Sequence, residues 1–170
     1  MLFFDQFTAT PVAVTPDTVI GAGVKLVFDQ SARMRCGLRR SQWRDPTGQN
    51  RPTLVIAGER RAPDDWLGLE IALPPTAGAV TLTCRNYPAH RLFPRLHFDV
   101  LGRIEHLDLA HVAASDVFAT RRFDAAEWQE QPIFRDGAPD GVRLTILVPS
   151  SPWFAMEIQT IEIENGGDHA

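Results

Sequence analysis

Hydrophobic and polar residues alternate along much of this chain, with the period of two that is typical of β-strands. The runs that show it best are 33–38, 66–73, 79–86, 142–148 and 153–164. In each run, one set of alternate side chains is apolar, which predicts a strand with one face in a core and the other turned outward. Convincing helical periodicity is nearly absent, and the best helical candidate is a single turn within 124–131.

The last of these runs changes parity in its middle. In "WFAMEIQTIEIE" the apolar positions are first even and then odd: Phe154, Met156 and Ile158, followed by Ile161 and Ile163. A strand that keeps one face in the core through such a change has to accommodate one extra residue. The pattern therefore predicts a β-bulge near Gln159 and Thr160.

The stretch "HFDVLGRIEHLD", residues 97–108, contains His-x-Asp on both sides of Gly102-Arg103. A two-residue turn at Gly102-Arg103 predicts a hairpin, because glycine suits the first central position of a type II′ turn. That register places Leu96, Phe98, Leu107 and Leu109 on the core side and His97, Asp99, His106 and Asp108 on the other. Histidine and carboxylate can bind zinc, so these four are the candidates for a metal site. We favour a solvent-facing ionic ladder, and predict no metal or other cofactor.

Turn-forming residues separate the strand runs. Thirteen prolines and twelve glycines punctuate the chain, including Pro46-Thr47-Gly48, Pro74-Pro75 and Asp140-Gly141. Many short strands at such spacing predict an all-β fold, an antiparallel β-sandwich of jelly-roll type with roughly eight to ten strands. We expect at most one or two short helical turns, a single domain over residues 1–164, and a loose C-terminal tail over 165–170.

Composition narrows the classes of partner. The net charge is -4, so no overall attraction to nucleic acid or an anionic membrane is expected. No apolar run approaches the ~20 residues of a membrane-spanning helix, and the N-terminus shows no Sec signal peptide. We therefore expect a cytoplasmic protein, or part of an assembly exported without such a signal. Cys36 and Cys84 are predicted to be buried free thiols.

The sequence carries no catalytic signature. It lacks a Gly-x-Ser-x-Gly elbow, and neither cysteine has an obvious neighbouring base. Alternation turns Glu70 outward, and we expect Glu157, Glu162 and Glu164 to be surface acids. The chain is therefore predicted not to be an enzyme.

Aromatic and polar residues supply the binding hypothesis. Four aromatics are stacking candidates because they lie at outward strand positions, in a polar loop or at a strand end: Trp43, Trp66, Tyr87 and Trp153. The candidates for polar contacts are Arg35, Arg85 and Asn86. Each tryptophan has the alternative of lying in a core covered by loops, and we expect Trp128 to pack there with Phe123 and Phe134. The arginines around Arg35 would grip an acidic glycan or a phosphate, or form a solvated strand face.

The second half of the chain has a recognisable order of strands. "WLGLEIALP", "AVTLTCRNYP", "PRLHFDV" and "VRLTILVPSSPWFAMEIQTIEIE" resemble, over residues 64–164, galactose-binding-like domains and carbohydrate-binding modules with a jelly-roll β-sandwich. The resemblance implies non-catalytic recognition of a glycan or polysaccharide by aromatic stacking and by hydrogen bonds from Arg, Asn and Asp. The alternative is a structural or protein–protein interaction module that self-associates or docks on a larger assembly.

Overall fold

The computed structural model describes residues 6–15, 18–21, 23–28, 35–59, 61–62, 67–86, 100–108, 113–123, 128–135, 141–147 and 153–166. These ranges contain no helix long and apolar enough to cross a membrane. They form twelve strands, more than the predicted eight to ten. The strands are β1 (Val12–Ala13), β2 (Thr18–Gly21), β3 (Val24–Phe28), β4 (Arg35–Arg44), β5 (Asn50–Glu59), β6 (Leu67–Ala72), β7 (Ala77–Asn86), β8 (Val100–Asp108), β9 (Ala113–Phe123), β10 (Gln129–Arg135), β11 (Gly141–Leu147) and β12 (Trp153–Asn165).

Two six-stranded sheets make up the fold. Sheet A has the order β1-β4-β5-β12-β7-β10, and sheet B has the order β2-β3-β6-β11-β8-β9. Every pairing between described strands is antiparallel. From β5 to β8 and again from β9 to β12, successive strands alternate between the sheets. The last strand, β12, lies in the middle of sheet A, between β5 and β7. The predicted antiparallel β-sandwich is confirmed.

The core lies between the sheets and takes one side-chain set from each. Sheet A contributes, among others, Leu54, Ile56, Leu82, Met156 and Ile158, and sheet B contributes Leu26, Leu67, Leu69 and Ile71, all fully buried. Among these residues, the alternation predicted the inward positions of Leu67, Leu69, Ile71, Leu82, Met156 and Ile158. Because a buried leucine or isoleucine contributes about 1.5–3 kcal/mol, this layer is the main source of stability.

The predicted bulge in β12 is confirmed. Ile158 pairs with Cys84 of β7, and the next pair joins Thr160 to Thr83, so Gln159 is the extra residue. The shift keeps Ile161 in the core after Ile158 despite the odd spacing. The strand includes Asn165, where the predicted tail begins, and the amide of Gly166 donates a hydrogen bond to the carbonyl of Thr76 at 2.7 Å.

The predicted turn at Gly102-Arg103 is wrong. Both residues lie inside the continuous strand β8, where they pair with Arg121 and Thr120 of β9 and also with β11. A strand with neighbours on both sides has no room to fold back on itself, so glycine here marks no turn. Residues 96–99 and 109, which the hairpin register also needed, lie outside the described ranges.

The expected helical turn within 124–131 is also wrong where it can be examined. Residues 129–131 open β10 and pair with Cys84, Thr83 and Leu82 of β7. Pairing with an existing sheet edge satisfies the backbone groups of this segment and overrides its weak helical pattern. Residues 124–127 lie outside the described ranges.

Both cysteines are buried free thiols, as expected. Cys36 of β4 and Cys84 of β7 point into the core, where β5 and β12 lie between their strands. Burial raises the pKa of each thiol to about 12, because a thiolate would lose its hydration. Neither group is poised to act as a nucleophile.

Leu82→Ala tests the packing of the sandwich. Leu82 is fully buried at the centre of β7, so truncation leaves a cavity and is expected to lower the free energy of unfolding by about 2–5 kcal/mol. Urea denaturation followed by circular dichroism measures the change. Thr81→Ala, on the opposite face of the same strand, serves as the control and should cost clearly less. Equal costs would contradict the assignment of the two faces.

Candidate functional site

The outer face of sheet A, the side turned away from the core, is unusually well covered at its centre. Thr53 and Val55 of β5 and Glu157 of β12 occupy the outward-alternating positions, yet they are 0%, 1% and 1% exposed. Ala155, beside Glu157 on the same face, is 1% exposed as well. The expectation that Glu157 is a surface acid is therefore wrong, whereas Glu162 and Glu164 farther along β12 are exposed as expected.

The Glu157 carboxylate has partners on both oxygens. The hydroxyl of Thr53 donates to Oε1 at 2.6 Å, and Arg85 of β7 donates to Oε2 from Nε at 2.8 Å and from Nη2 at 2.7 Å. Glu157 and Arg85 are direct partners in the register of β12 and β7, which brings the two side chains to the same place on the face. A buried carboxylate is tolerated only when it is paired and hydrogen-bonded in this way.

Arg85 also forms the first contact of an aromatic cluster. Its guanidinium carbon lies 4.4 Å from the centre of the Trp128 ring, a cation–π arrangement. Trp128 in turn meets Trp43 edge to face, with ring centroids 5.3 Å apart and an interplanar angle of 63°. We call Trp43 and Trp128 the aromatic pair. Both are half-buried, so part of each indole faces solvent.

The aromatic pair joins distant parts of sheet A. Trp43 is on β4 and Trp128 directly precedes β10, strands that are four intervals apart in the sheet order. Four intervals span about 19 Å in a flat sheet, so the rings meet above the outer face and bridge it. At its Trp128 end, the bridge is connected through Arg85 to the buried Glu157.

One polar atom of the aromatic pair has no hydrogen-bond partner among the described residues. The indole Nε1 of Trp128 is buried, and no described residue accepts a hydrogen bond from it. An unsatisfied buried donor costs about 1–3 kcal/mol, and a native structure usually keeps one for a reason. Because the atom itself is buried, a ligand hydroxyl would reach it only after a neighbouring side chain moved.

The turn between β4 and β5 fixes the end of the strand that carries Trp43. The Oδ1 atom of Asp45 accepts hydrogen bonds from the Thr47 amide at 2.9 Å, the Thr47 hydroxyl at 2.5 Å and the Gln49 amide at 2.9 Å. Arg51, the register partner of Trp43, donates to Oδ2 at 3.0 Å. Gly48 closes the turn with φ +86, a conformation that favours glycine.

These hydrogen bonds lower the pKa of Asp45 from an ordinary 3.8 to about 2, and the hydrogen bond from the Thr47 hydroxyl has the largest effect. The turn predicted at Pro46-Thr47-Gly48 is confirmed.

Sheet B has a matching buried acid. Glu70 of β6 is 5% exposed, and its Oε1 atom accepts from Nε of Arg143 at 2.9 Å and also from Nη2, while Lys25 lies 3.3 Å from Oε2. Glu70 points away from the core as predicted, and it is nevertheless almost fully buried. Lys25, Glu70 and Arg143 pair across three adjacent strands, so the register assembles this ion cluster.

The seven predicted ligand-binding residues are distributed unevenly. Trp43 and Arg85 belong to the cluster with Trp128. Arg35 and Trp153 are both register partners of Glu59 on β5. Glu59 is eight residues along β5 from Arg51, the register partner of Trp43, so this region lies about 26 Å from Trp43 along the strands. Their side chains are outside the description, as is that of Asn86, whose backbone pairs with Met156. Trp66 and Tyr87 lie outside the described residues.

The four metal candidates cannot share a face through the predicted hairpin, because its turn does not exist. His106 and Asp108 are on β8, while His97 and Asp99 are outside the described residues. Among the residues that the structure describes, no three His, Cys, Asp or Glu side chains converge in a way that could hold a metal ion.

Sequence reasoning missed Trp128. The prediction that Trp128 packs with Phe123 and Phe134 concerns phenylalanines whose side chains are outside the description; the observed contacts are Trp43 and Arg85. The sequence offered one signal, the outward parity of Arg85 on β7. This signal identifies Trp128 as a neighbour of Arg85 only when β10 is known to pair with β7.

Comparisons with known proteins identify solved structures with a similar fold but no matching protein family. No protein-family model and no curated protein sequence matches the chain. Among solved structures, the CBM22-1 and GH10 modules of the endo-1,4-beta-D-xylanase 10B of Clostridium thermocellum, complexed with xylohexaose, are 14% identical, with a TM-score of 0.50. The alignment covers 87% of this chain and 27% of that one, so the chain spans about a quarter of the xylanase chain.

Two smaller structures share the architecture over most of both chains. The structure of CtCBM11 is 10% identical, with a TM-score of 0.46, covering 93% of this chain and 96% of that one. The CBM22-1 xylan-binding domain from Paenibacillus barcinonensis Xyn10C is 9% identical, with a TM-score of 0.46, covering 82% and 85%. The resemblance to carbohydrate-binding modules is confirmed as one of fold.

Thr47→Ala tests the turn that positions Trp43. Because the Thr47 hydroxyl is the main cause of the low pKa of Asp45, removing it should raise that pKa from about 2 toward 3.8. A lowered folded-state pKa stabilises the protein above pH 3.8, and the contribution is lost as the pH falls from 3.8 to 2. NMR titration of the Asp45 carboxyl measures the midpoint. Thr47→Ser keeps the hydroxyl and should keep the low value; an unchanged midpoint in Thr47→Ala would contradict the assignment.

Glu157→Gln tests the buried ion pair. The variant keeps the shape of the side chain and an acceptor for Thr53 but leaves Arg85 without its counter-charge. We expect the free energy of unfolding to fall by roughly 3 kcal/mol. Urea denaturation measures it, with Glu162→Gln as the matched control on the same strand, because Glu162 is exposed and should change stability by less than about 0.5 kcal/mol. Similar losses in the two variants would refute a special role for Glu157.

Proposed function

We propose that the chain is a non-catalytic carbohydrate-binding module whose glycan contacts the aromatic pair on the outer face of sheet A. The observation that carries the proposal is the partly exposed edge-to-face contact of Trp43 and Trp128, in which Trp128 is held by Arg85 and Arg85 by the buried Glu157. Large aromatic and arginine side chains that are fixed in place by their neighbours are typical anchors of binding sites.

The aromatic pair suits a sugar ring for two reasons. A pyranose presents a flat set of C–H groups that packs on an indole, and burial of this apolar area favours binding. The indoles are also ordered before the ligand arrives, because each ring contacts the other and Trp128 contacts Arg85. Preorganisation lowers the entropy that the protein loses on binding.

Polar contacts would fix the orientation of the sugar. The indole N–H of Trp128 has no acceptor among the described residues, and it would donate to a ring hydroxyl if the side chains that bury it moved on binding. Arg35, Asn86, Tyr87, Trp66 and Trp153 remain predicted contributors, and the placement of Arg35 and Trp153 beside Glu59 means that they would meet a different part of an extended glycan. A chain of several sugar units would be needed to reach both regions.

Glu157, the buried acid nearest the aromatic pair, is unsuited to catalysis. Glycoside hydrolysis uses a pair of carboxyl groups that flank the bond to be broken. Both oxygens of Glu157 are occupied, by the Thr53 hydroxyl and by Arg85, and the residue is 1% exposed. This carboxylate is suited to holding Arg85 in place rather than to transferring a proton to a substrate.

Trp43→Ala tests the proposed binding surface. A glycan array identifies a ligand, with xylohexaose as the first soluble probe because the structurally similar xylanase modules were solved with it. Titration calorimetry should then show at least a tenfold loss of affinity in Trp43→Ala, about 1.4 kcal/mol. Glu164→Gln, exposed on the same sheet and near the far end of β12, should bind like the unaltered protein. Failure to bind any glycan at millimolar concentration would contradict the proposal.

Self-association is the second candidate, and one observation favours it. Val12 of β1 and Val19 of β2 are 51% and 61% exposed, and each lies on a strand at the edge of its sheet. Exposed apolar residues on edge strands are able to pair with another chain. Light scattering distinguishes the two candidates: a stable oligomer that binds no glycan favours this one, and a glycan-binding monomer rules it out.

A further inference from the structure

The cluster on the outer face of sheet A is electrically neutral. Arg85 donates two hydrogen bonds to Oε2 of Glu157, so the positive charge nearest the aromatic pair is matched by a negative charge at 2.7–2.8 Å. The low dielectric constant around a carboxylate that is 1% exposed strengthens this pairing. An incoming anion would have to displace Glu157 from Arg85 or approach against its charge.

The geometry of Arg85 further restricts what it can bind. One face of its guanidinium lies against the ring of Trp128, and two of its N–H groups are directed at Glu157. A carboxylate or phosphate ligand is normally held by a guanidinium that offers two parallel N–H groups along one edge. The Nε and Nη2 edge of Arg85, one such edge, is already occupied.

The neighbouring arginines on this side of the sheet are engaged as well. Arg51, the register partner of Trp43, pairs with Asp45 at 3.0 Å. Arg39, on the same face of β4 as Trp43, also has an interaction partner. Among the described residues, the arginines around the aromatic pair therefore do not form a set of free positive charges, and the protein as a whole carries -4.

We infer that the aromatic pair takes an uncharged glycan, and that Arg85 is a positioning residue that holds Trp128 while Glu157 neutralises it. The inference rests on the proposed glycan-binding function and specifies its ligand class. It departs from the sequence-based hypothesis that arginines on this sheet grip an acidic glycan. Binding would come from stacking and from hydrogen bonds to hydroxyl groups, which depend little on ionic strength.

Matched neutral and acidic probes test the ligand class with the intact chain. Suitable pairs are xylohexaose and a xylo-oligosaccharide bearing glucuronic acid, and cellohexaose and its form oxidised to the carboxylate at C6. Calorimetry should show that the neutral member of a bound pair binds at least as tightly as its acidic counterpart. Its affinity should change by less than about twofold between roughly 50 and 500 mM salt.

Glu157→Gln gives the sharper test, because it removes the charge that neutralises Arg85. The ratio of affinity for the acidic probe to affinity for its neutral partner should rise about tenfold in the variant, since a hydrogen bond to an unpaired guanidinium is worth more than one to a paired group, and this rise should disappear at high salt. Glu162→Gln changes the net charge by the same amount on the same strand but away from Arg85. It should show no such rise.

The outcomes separate this inference from the proposed function. Preference for neutral probes with weak salt dependence supports the inference. Tighter, salt-sensitive binding of the acidic probes overturns it and leaves glycan binding intact, whereas no binding of any glycan overturns both. A folded Glu157→Gln protein whose ratio of acidic to neutral affinity does not rise overturns the role assigned to Arg85. If this variant does not fold, the probe pairs on the unaltered protein still decide the ligand class.

Discussion

The ion pair between Glu157 and Arg85 is the interaction on which the outer face of sheet A depends. A carboxylate that is almost fully buried loses several kcal/mol of hydration, so it is tolerated only because Thr53 and Arg85 satisfy both of its oxygens. The ion pair fixes Arg85 in turn. The guanidinium of Arg85 packs on the ring of Trp128, and this ring contacts Trp43. The position of the aromatic pair thus follows from a charge buried beneath it.

The same solution occurs in sheet B, where Glu70 faces Arg143 across β6 and β11. In both sheets the acid and its arginine are direct register partners on adjacent strands, Glu157 with Arg85 and Glu70 with Arg143. A one-residue slip would place either carboxylate in the apolar core, so each ion pair also disfavours a wrong register. In sheet A, Arg85 also contacts an aromatic ring, that of Trp128.

The sequence was sufficient for features that depend on neighbouring residues along the chain. Alternation identified the core positions Leu67, Leu69, Leu82 and Cys84, and a parity change located the bulge at Gln159. It was not sufficient for features set by distant strands. Alternation tells which residues point away from the core but not whether the chain covers them, and this is why Glu157 was expected at the surface.

The two wrong local predictions have the same origin. Gly102 suited a tight turn, but β9 and β11 pair with β8 on both sides and keep it extended. Residues 129–131 had a weak helical pattern, but the edge of β7 took them into sheet A. Trp128 was missed as a site residue because its partners, Trp43 and Arg85, come from parts of the chain more than forty residues away.

A double-mutant cycle between Glu157 and Trp43 measures the central claim most directly, because the two residues are linked through Arg85 and Trp128. Unfolding free energies are needed for Glu157→Gln, Trp43→Leu and the double variant. If the buried charge positions the aromatic pair, the effects are non-additive by at least about 0.5 kcal/mol. Additivity to within about 0.3 kcal/mol would show that Trp43 is independent of Glu157 and would contradict the account.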